Sequence, residues 1–397
     1  MATPTPLEAL GGPLFHAVEG DSAIDAPTPR LVEAVRTRVR SLEGMQKEAL
    51  VTNHRTGRTW RLASDEGPYL DGADVAPAPL AFMTTGMVGA FATRLGSLAT
   101  TRGIELDEVT LVLDSFYTMT GSALRGDMAG GALPPVLEAQ VAADVDNATL
   151  EALVTDAVAT APVTGLLRGN LESSFALTHN GTALEPDRVA ALDGPRLEDP
   201  RPRFERLARD VAQPDRPLLV HTGRTTEPFP GDRERYTGGT GSSLAESQDR
   251  VLHLRGTGTR ATDGLVDVEV KLYSPRGSVF ELRVGDPGSD ARGRAPDPLS
   301  YVSAGLGFCF MTQLGRYATI VDRPLPAYRV VQDTHFGAGD PATGSAPAAE
   351  PVETHVFLDS PADVAFARTT LDMSEQTCFL HALCRTPLEP TVEVRAT

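Results

Sequence analysis

The stretch Ala76-Pro-Ala-Pro-Leu-Ala-Phe-Met-Thr-Thr-Gly occurs a second time in this chain, as Ala295-Pro-Asp-Pro-Leu-Ser-Tyr-Val-Ser-Ala-Gly, and the two align without a gap. The register continues to Ala90 in the first copy and to Cys309 in the second, an offset of 309 − 90 = 219. A second match sets Ala161 against Cys378. We infer an internal duplication in which two special positions hold alanine in one half and cysteine in the other.

The pattern in each half predicts the same order of elements: strands, a long helix, strands, a second helix and a final strand. The long helices are predicted to start at Pro79 and Pro298, where the missing N–H of proline costs nothing. Such an order is typical of an α+β fold. The sequence predicts four segments: an N-terminal arm over residues 1–45, a first domain over 46–181, a linker over 182–247 and a second domain over 248–397.

Three local predictions concern the segments outside the repeated core. The apolar spacing over residues 29–39 predicts a helix in the N-terminal arm. A second helix is predicted inside the linker, over residues 203–211. Asn147 is predicted to cap the second helix of the first half, because its side chain can accept a hydrogen bond from the first turn.

The bulk composition limits the class of partner. The chain has 397 residues with a formal net charge of −17, and that charge would be repelled by nucleic acid or an anionic membrane surface. No apolar run approaches the roughly 20 residues of a bilayer span, and the start lacks a secretory signal. Three cysteines are too few for a disulfide framework. We expect a soluble, cytoplasmic protein with a small-molecule partner, and the composition suggests a bacterial source.

The two cysteines of the second half carry a resemblance to a known family. Cys309 follows Pro298 by eleven residues, and Cys378 comes 69 residues later at a predicted helix start. This helix, spacing and repeat order resemble the OsmC/Ohr family, osmotically induced protein C and organic hydroperoxide resistance protein. Family members are intertwined α+β homodimers. The resemblance therefore implies two tandem OsmC-like domains in an intramolecular pseudo-dimer, with long central helices packed on antiparallel sheets and one of the two sites emptied.

The resemblance also implies a thiol chemistry. Cys309 would attack a hydroperoxide and become a sulfenic acid, and Cys378 would condense with it to a disulfide. An external dithiol, such as a lipoyl-bearing protein, would then reduce that disulfide, so no cofactor is expected. A different reading of the same residues is that buried free cysteines simply fill space in the core.

A thiol in an apolar helix needs a cation to become a thiolate. The family resemblance implies an arginine from the strands that precede the helix, held by a glutamate directly after the helix-starting proline. Leu299 occupies that acidic position here, which departs from the family. Arg58 and Arg276 are the leading candidates for the arginine. Three further arginines stay open as candidates: Arg55, Arg61 and Arg260.

Several neighbours of the cysteines are candidate substrate contacts: Tyr301, Phe308, Phe310, His335 and His381. Cys378 and His381 are three residues apart on one predicted helix and share a face. Together with Cys309 they would supply three zinc ligands, but a fourth is lacking, so no metal is expected. Cys384 is interpreted as a packing residue.

Three functions are consistent with these residues. The first is thiol-dependent reduction of an organic hydroperoxide or a related electrophile. The second is a specialised biosynthetic reaction that uses Cys309 as a nucleophile or thiol donor, which the leucine at position 299 favours. The third is a non-catalytic protein that binds a small apolar molecule.

Overall fold

The computed structural model describes residues 6–20, 23–208, 211, 216–226, 229, 242–289 and 292–396. Its helices are α1 (Leu7–Leu10), α2 (Pro79–Arg102), α3 (Asn147–Thr160), α4 (Thr164–Arg168), α5 (Arg201–Glu205), α6 (Pro298–Ile320), α7 (Val364–Thr377) and α8 (Phe379–Arg385). Its strands are β1 (His16–Val18), β2 (Glu33–Ser41), β3 (Lys47–Asn53), β4 (Thr59–Ser64), β5 (Leu106–Ser122), β6 (Ala129–Ala143), β7 (Ser174–His179), β8 (Thr182–Leu184), β9 (Ala190–Ala191), β10 (Leu219–Arg224), β11 (Ser247–Arg260), β12 (Val266–Ser274), β13 (Ser278–Val284), β14 (Ala327–Gly337), β15 (Ala348–Ala349), β16 (Glu353–Asp359) and β17 (Thr391–Ala396).

The strands form two sheets, and the fold is α+β as the sequence predicts. Both sheets are mixed and not antiparallel as the resemblance implies, because β16 pairs with β7 and β17 pairs with β6 in parallel. The first sheet has the order β1-β4-β3-β2-β14-β16-β7-β8, with β15 and β9 paired to its side. The second has the order β10-β13-β12-β11-β5-β6-β17. Each sheet therefore combines strands from both copies of the repeated sequence: β7 pairs with β16 in the first sheet, and β5 pairs with β11 in the second. Strand β2, which precedes the first copy, pairs antiparallel with β14.

The two long helices lie in the middle of the molecule. Helix α2 packs on the sheet that contains β11 and β12, α6 packs on the sheet that contains β2 and β3, and the helices contact each other. Small residues allow the contact: a Cβ on Gly86 would lie 2.7 Å from the Pro298 carbonyl oxygen, and a Cβ on Gly305 would lie 3.0 Å from the Met83 nitrogen. Both helices start at a proline, as predicted.

The helix predicted over residues 29–39 is wrong, because this segment forms β2. The apolar and small residues alternate with arginines at positions 36, 38 and 40, so one face is buried and the other is partly exposed. That alternation has the period of a strand. The predicted cap on α3 is also wrong by one residue: the carboxylate of Asp146, and not Asn147, accepts the hydrogen bond from the Thr149 nitrogen.

The segment predicted as a linker contains ordered elements. Strands β8, β9 and β10 and helix α5 all fall within residues 182–247. Helix α5 ends at Glu205, and the remainder of the predicted helix, up to residue 211, lies partly outside the described residues. Strand β10 pairs with β13 as the edge of its sheet, in the same way that β1 pairs with β4. Strand β2 begins before residue 46, so the antiparallel run of β2, β3 and β4 crosses the predicted start of the first domain.

Candidate active site

Cys309 and Cys378 meet in the core. Cys309 lies in the middle of α6, and Cys378 is the extended residue that joins α7 to α8. The two sulfur atoms are 3.4 Å apart, and both side chains are buried. A disulfide bond is about 2.05 Å long, so this distance is a contact between free thiols and not a bond. Bond formation needs a movement of the two side chains toward each other.

His381 is the polar partner of Cys378. Its Nδ1 lies 3.1 Å from the Cys378 sulfur, one helical turn away on α8. The ring packs against Phe310 and Phe175, with centroid distances of 5.2 and 5.7 Å. Burial lowers the pKa of His381 to about 4, so the imidazole is neutral at pH 7. Burial, and then the neighbouring Cys309, raise the pKa of Cys378, so this thiol stays protonated.

Cys309 borders a narrow cavity of about 40 Å³. By the usual requirement of roughly 10–15 Å³ per water, this is space for about three water molecules. Apolar side chains form most of its walls, and they come from both copies of the repeat: Leu80 at the start of α2, Met119 on β5, Leu252 on β11 and Phe379 on α8. The cavity is therefore a mostly apolar pocket with a thiol in its wall.

A buried polar group borders the same cavity. Glu66 follows β4, and its carboxylate accepts hydrogen bonds from the Thr312 hydroxyl at 2.8 Å and the Tyr69 hydroxyl at 2.9 Å. Burial raises the pKa of Glu66. Lys47 on β3 is fully buried, and burial lowers its pKa against the opposing charges of Glu66, Asp65 and Cys309. A positive charge on Lys47 thus lies close enough to Cys309 for the two to interact.

Two arginines also line this cavity, Arg316 on α6 and Arg250 on β11. Both are buried, with 4% and 6% of their surface exposed. Burial, and then repulsion from Arg250, lower the pKa of Arg316 to about 10, which leaves it charged at pH 7. The described part of the cavity wall therefore contains cations of a kind that stabilise an anion.

The predicted arginines lie elsewhere. Arg58 is exposed and pairs with Glu19 at 3.3 Å, and Arg276 is exposed and donates to the Thr226 carbonyl oxygen. Neither belongs to the described residues that line the cavity of Cys309. The further candidates are also engaged elsewhere: Arg61 with Glu48, Arg55 with Glu33, and Arg260 on a separate cavity near α2.

The predicted substrate contacts divide into two groups. His381 and Phe310 lie beside the thiols, as described above. Phe308 instead packs on Phe82 with a centroid distance of 4.9 Å, and Tyr301 donates its hydroxyl to the Arg283 carbonyl oxygen at 2.9 Å. His335, on β14, accepts a hydrogen bond from the Arg30 nitrogen. None of the five predicted contacts, Phe310 and His381 included, is among the described residues that line the cavity of Cys309.

The residue after the helix-starting proline, where the resemblance implies a glutamate, also lies in a different place from the one expected. Leu80, directly after Pro79 in the first copy, borders the cavity of Cys309. Leu299 borders a second cavity of about 140 Å³ that contains Ala90. Each cavity is thus completed by the helix start of the other copy. The residue that occupies the implied glutamate position next to Cys309 is therefore Leu80. It is a leucine as well, so neither copy supplies an acid at this position.

Sequence reasoning missed Lys47, Glu66, Arg250 and Arg316. A signal was present for Arg316 and for Thr312, which follow Cys309 by seven and three residues on one helix and therefore share its face. No sequence signal indicates Lys47 or Glu66, because they reach the site through the packing of β3 and β4 of the other copy.

No group of three or more His, Cys, Asp or Glu side chains among the described residues is arranged to hold a metal ion. No described helix is long and apolar enough to cross a membrane.

Comparison with known proteins gives little. No family profile and no curated protein matches the sequence. Among solved structures, part of the chain is similar to an OsmC-like hydroperoxide resistance protein from Jannaschia sp. CCS1, with 20% identity over 31% of this chain and 79% of that one. The TM-score is 0.19, and a likeness of this size carries no argument about fold or function. The function is therefore argued from the geometry of the site.

Proposed function

We propose that this protein reduces an organic hydroperoxide, or a related electrophile, with Cys309 as the attacking thiol and Cys378 as the resolving thiol. The observation that carries the proposal is the 3.4 Å contact of the two sulfurs, one of which, that of Cys309, borders an apolar cavity. In this proposal the two copies, residues 46–181 and 248–397, are OsmC-like domains of a pseudo-dimer. Exchange of strands between the two sheets and completion of each cavity by the other copy support that arrangement.

The contacts of Cys378 favour Cys309 as the thiolate. A neutral His381 with its proton on Nδ1 donates to the Cys378 sulfur, and the Cys378 thiol then donates to the Cys309 sulfur. In this arrangement each proton lies between two atoms, and the negative charge rests at the end of the chain, on Cys309. In this proposal the Lys47 ammonium is the cation that faces Cys309, in place of the arginine that the family resemblance implies, and burial lowers the pKa of that ammonium.

The reaction then has three steps. The Cys309 thiolate attacks the outer peroxide oxygen, the O–O bond breaks, and the alkoxide leaves and takes a proton to become an alcohol. The resulting sulfenic acid condenses with the Cys378 thiol, which forms the S–S bond and releases water. An external dithiol, for which a lipoyl-bearing protein is one candidate, reduces this disulfide to two thiols and is itself oxidised to a disulfide.

The size of the cavity limits the substrate. Space for about three waters accepts a compact hydroperoxide of about six non-hydrogen atoms, such as tert-butyl hydroperoxide, without displacement of the walls. The apolar walls favour an organic peroxide over hydrogen peroxide, because burial of the alkyl group is favourable and burial of an extra hydroxyl is not.

The test is intact mass and free-thiol count before and after one equivalent of tert-butyl hydroperoxide. We expect wild type to lose two hydrogens and two thiols, and a dithiol to restore both. Cys378→Ser is expected to stop at the sulfenic acid, which dimedone traps, and Cys309→Ser is expected not to react. Cys384→Ser is the matched control, since Cys384 is equally buried in α8 and its pKa is raised to about 12 by burial.

Thiols that stay reduced in excess hydroperoxide would sink the proposal. The two alternative functions, a biosynthetic enzyme and a small-molecule binding protein, would then be favoured, and the same variants distinguish them. A biosynthetic nucleophile needs Cys309 but not Cys378. A binding protein keeps its ligand when Cys309 is replaced by serine.

A further inference from the structure

Arg316 and Arg250 form a buried pair of guanidinium groups beside the thiol cavity. Both bond the same residue, Ser243: Arg316 Nε donates to its carbonyl oxygen at 2.7 Å, and an Arg250 Nη donates to its hydroxyl at 2.5 Å. The two arginines are close enough to repel each other. Two like charges are thus held together in a mostly apolar pocket.

Arg316 has no carboxylate partner among the described residues. Its three nitrogens donate to the Ser243 carbonyl oxygen, to the side-chain oxygen of Gln313 at 3.2 Å and to the sulfur of Met128 at 3.2 Å. All three acceptors are neutral. Glu66 is near enough to interact with Arg316, but its two oxygens accept from the hydroxyls of Thr312 and Tyr69. A buried charge without a direct counter-ion is costly, which points to a ligand that supplies one.

We propose that Arg316 and Arg250 bind the carboxylate of the substrate, so that the protein acts on short organic acids that carry the reactive group. A carboxylate suits the planar guanidinium, which can hold it with two parallel hydrogen bonds. The apolar walls formed by Leu80, Leu252 and Phe379 receive the carbon chain. A phosphate dianion is a poorer match, because desolvation of the second charge costs more than the apolar walls return.

The helix sets the length of this ligand. Arg316 follows Cys309 by seven residues, about 10.5 Å along the helix axis at 1.5 Å per residue. Long side chains on a helix point back toward its N-terminus, so the guanidinium lies nearer to the thiol than that. The carboxylate and the electrophilic atom of the ligand are therefore expected to lie less than about 10 Å apart. The small cavity favours a separation of about 5 Å, since a longer ligand would have to displace its walls. The identity of the ligand as a short acidic hydroperoxide rests on the proposed function, whereas the carboxylate site does not.

The experiment measures binding in the full chain with Cys309→Ser, so it needs no redox reaction. Linear carboxylates from butanoate to octanoate are titrated by ligand-observed NMR, each against the primary alcohol of the same length. We expect the best carboxylate to bind at least tenfold more tightly than its alcohol. Arg316→Met is expected to remove this preference, and Arg316→Lys to retain part of it. Arg94→Met is the control, since Arg94 lines the Ala90 cavity and also bonds only neutral oxygens.

Equal affinity for acid and alcohol, or an unchanged preference in Arg316→Met, would overturn the carboxylate site. If Arg316→Met does not fold, Arg250→Met replaces it in the same comparison, with the same two outcomes. The result is separate from the peroxidase test. A carboxylate preference in a protein whose thiols ignore hydroperoxides keeps this site and ends the proposed function. Oxidation of the thiols without a carboxylate preference supports the proposed function and overturns the carboxylate site.

Discussion

Replacement of Gly86 by alanine tests the central contact of the molecule. A Cβ at this position would lie 2.6 Å from the Val302 Cγ2, 2.7 Å from the Pro298 carbonyl oxygen and 2.9 Å from the Val302 nitrogen. Two of these three atoms belong to the backbone of α6 and cannot rotate away. An added methyl in a packed core costs about 1–3 kcal/mol, and the backbone contacts put Gly86→Ala at about 3 kcal/mol. The higher helix propensity of alanine returns about 1 kcal/mol, for a net loss of about 2 kcal/mol.

Gly96→Ala on the same helix is the matched control. Its new Cβ would have one neighbour, a terminal nitrogen of Arg260 at 3.4 Å, which is an ordinary contact with a flexible group. Gly96→Ala gains the helix propensity of alanine, about 1 kcal/mol of stability, and does not introduce the steric overlap that destabilises Gly86→Ala. The two variants should therefore differ by about 3 kcal/mol.

The assay is thermal unfolding of both variants and wild type by circular dichroism. At about 2.1 cal/mol/K per residue, the entropy of unfolding of this 397-residue chain is roughly 0.8 kcal/mol/K. A difference of about 3 kcal/mol then separates the two melting temperatures by about 4 °C, with Gly86→Ala the lower. If Gly86→Ala melts at or above Gly96→Ala, the helices do not cross at Gly86 and the cavity geometry derived from that crossing is wrong.

Two further predictions concern pH. Burial raises the pKa of Asp114, but hydrogen bonds from His253 and Arg255 outweigh burial and lower the pKa overall. This carboxylate therefore stabilises the fold above its unfolded pKa of about 3.9, and the stabilisation is lost as pH falls below that value. Asp114→Asn should cost about 2 kcal/mol at pH 7 in urea unfolding, and its difference from wild type should shrink as pH falls below about 3.9; a difference that stays constant would contradict the assignment. Glu66 has the opposite effect: burial raises its pKa, so the free energy of unfolding falls as pH rises above about 4.3. Glu66→Gln should flatten that pH dependence between pH 5 and 8. An unaltered slope would show that another group causes it.

The sequence by itself determined the elements whose signals are local. The long helices at Pro79 and Pro298, the strands that become β12 and β13, and the placement of Cys309 and Cys378 at equivalent points of a repeat all follow from spacing within a short window. The error at β2 has a local cause as well. Its valines at positions 35 and 39 are four apart, which also fits a helix, whereas the arginines at every second position have the period of a strand.

Only the tertiary structure decided which residues surround the thiol. It pairs β11 with β5 and β2 with β14, and it places Leu80 rather than Leu299 at the cavity of Cys309. It also brings Glu66 to that cavity and Lys47 near enough to Cys309 to interact with it, while Arg58 stays at the surface. These contacts join residues that are more than one hundred positions apart in the sequence. Periodicity shows which face of an element is buried, but the partner of that face is set by the packing of two sheets and two helices together. Because the two copies have similar buried faces, the sequence does not distinguish which copy each face packs against.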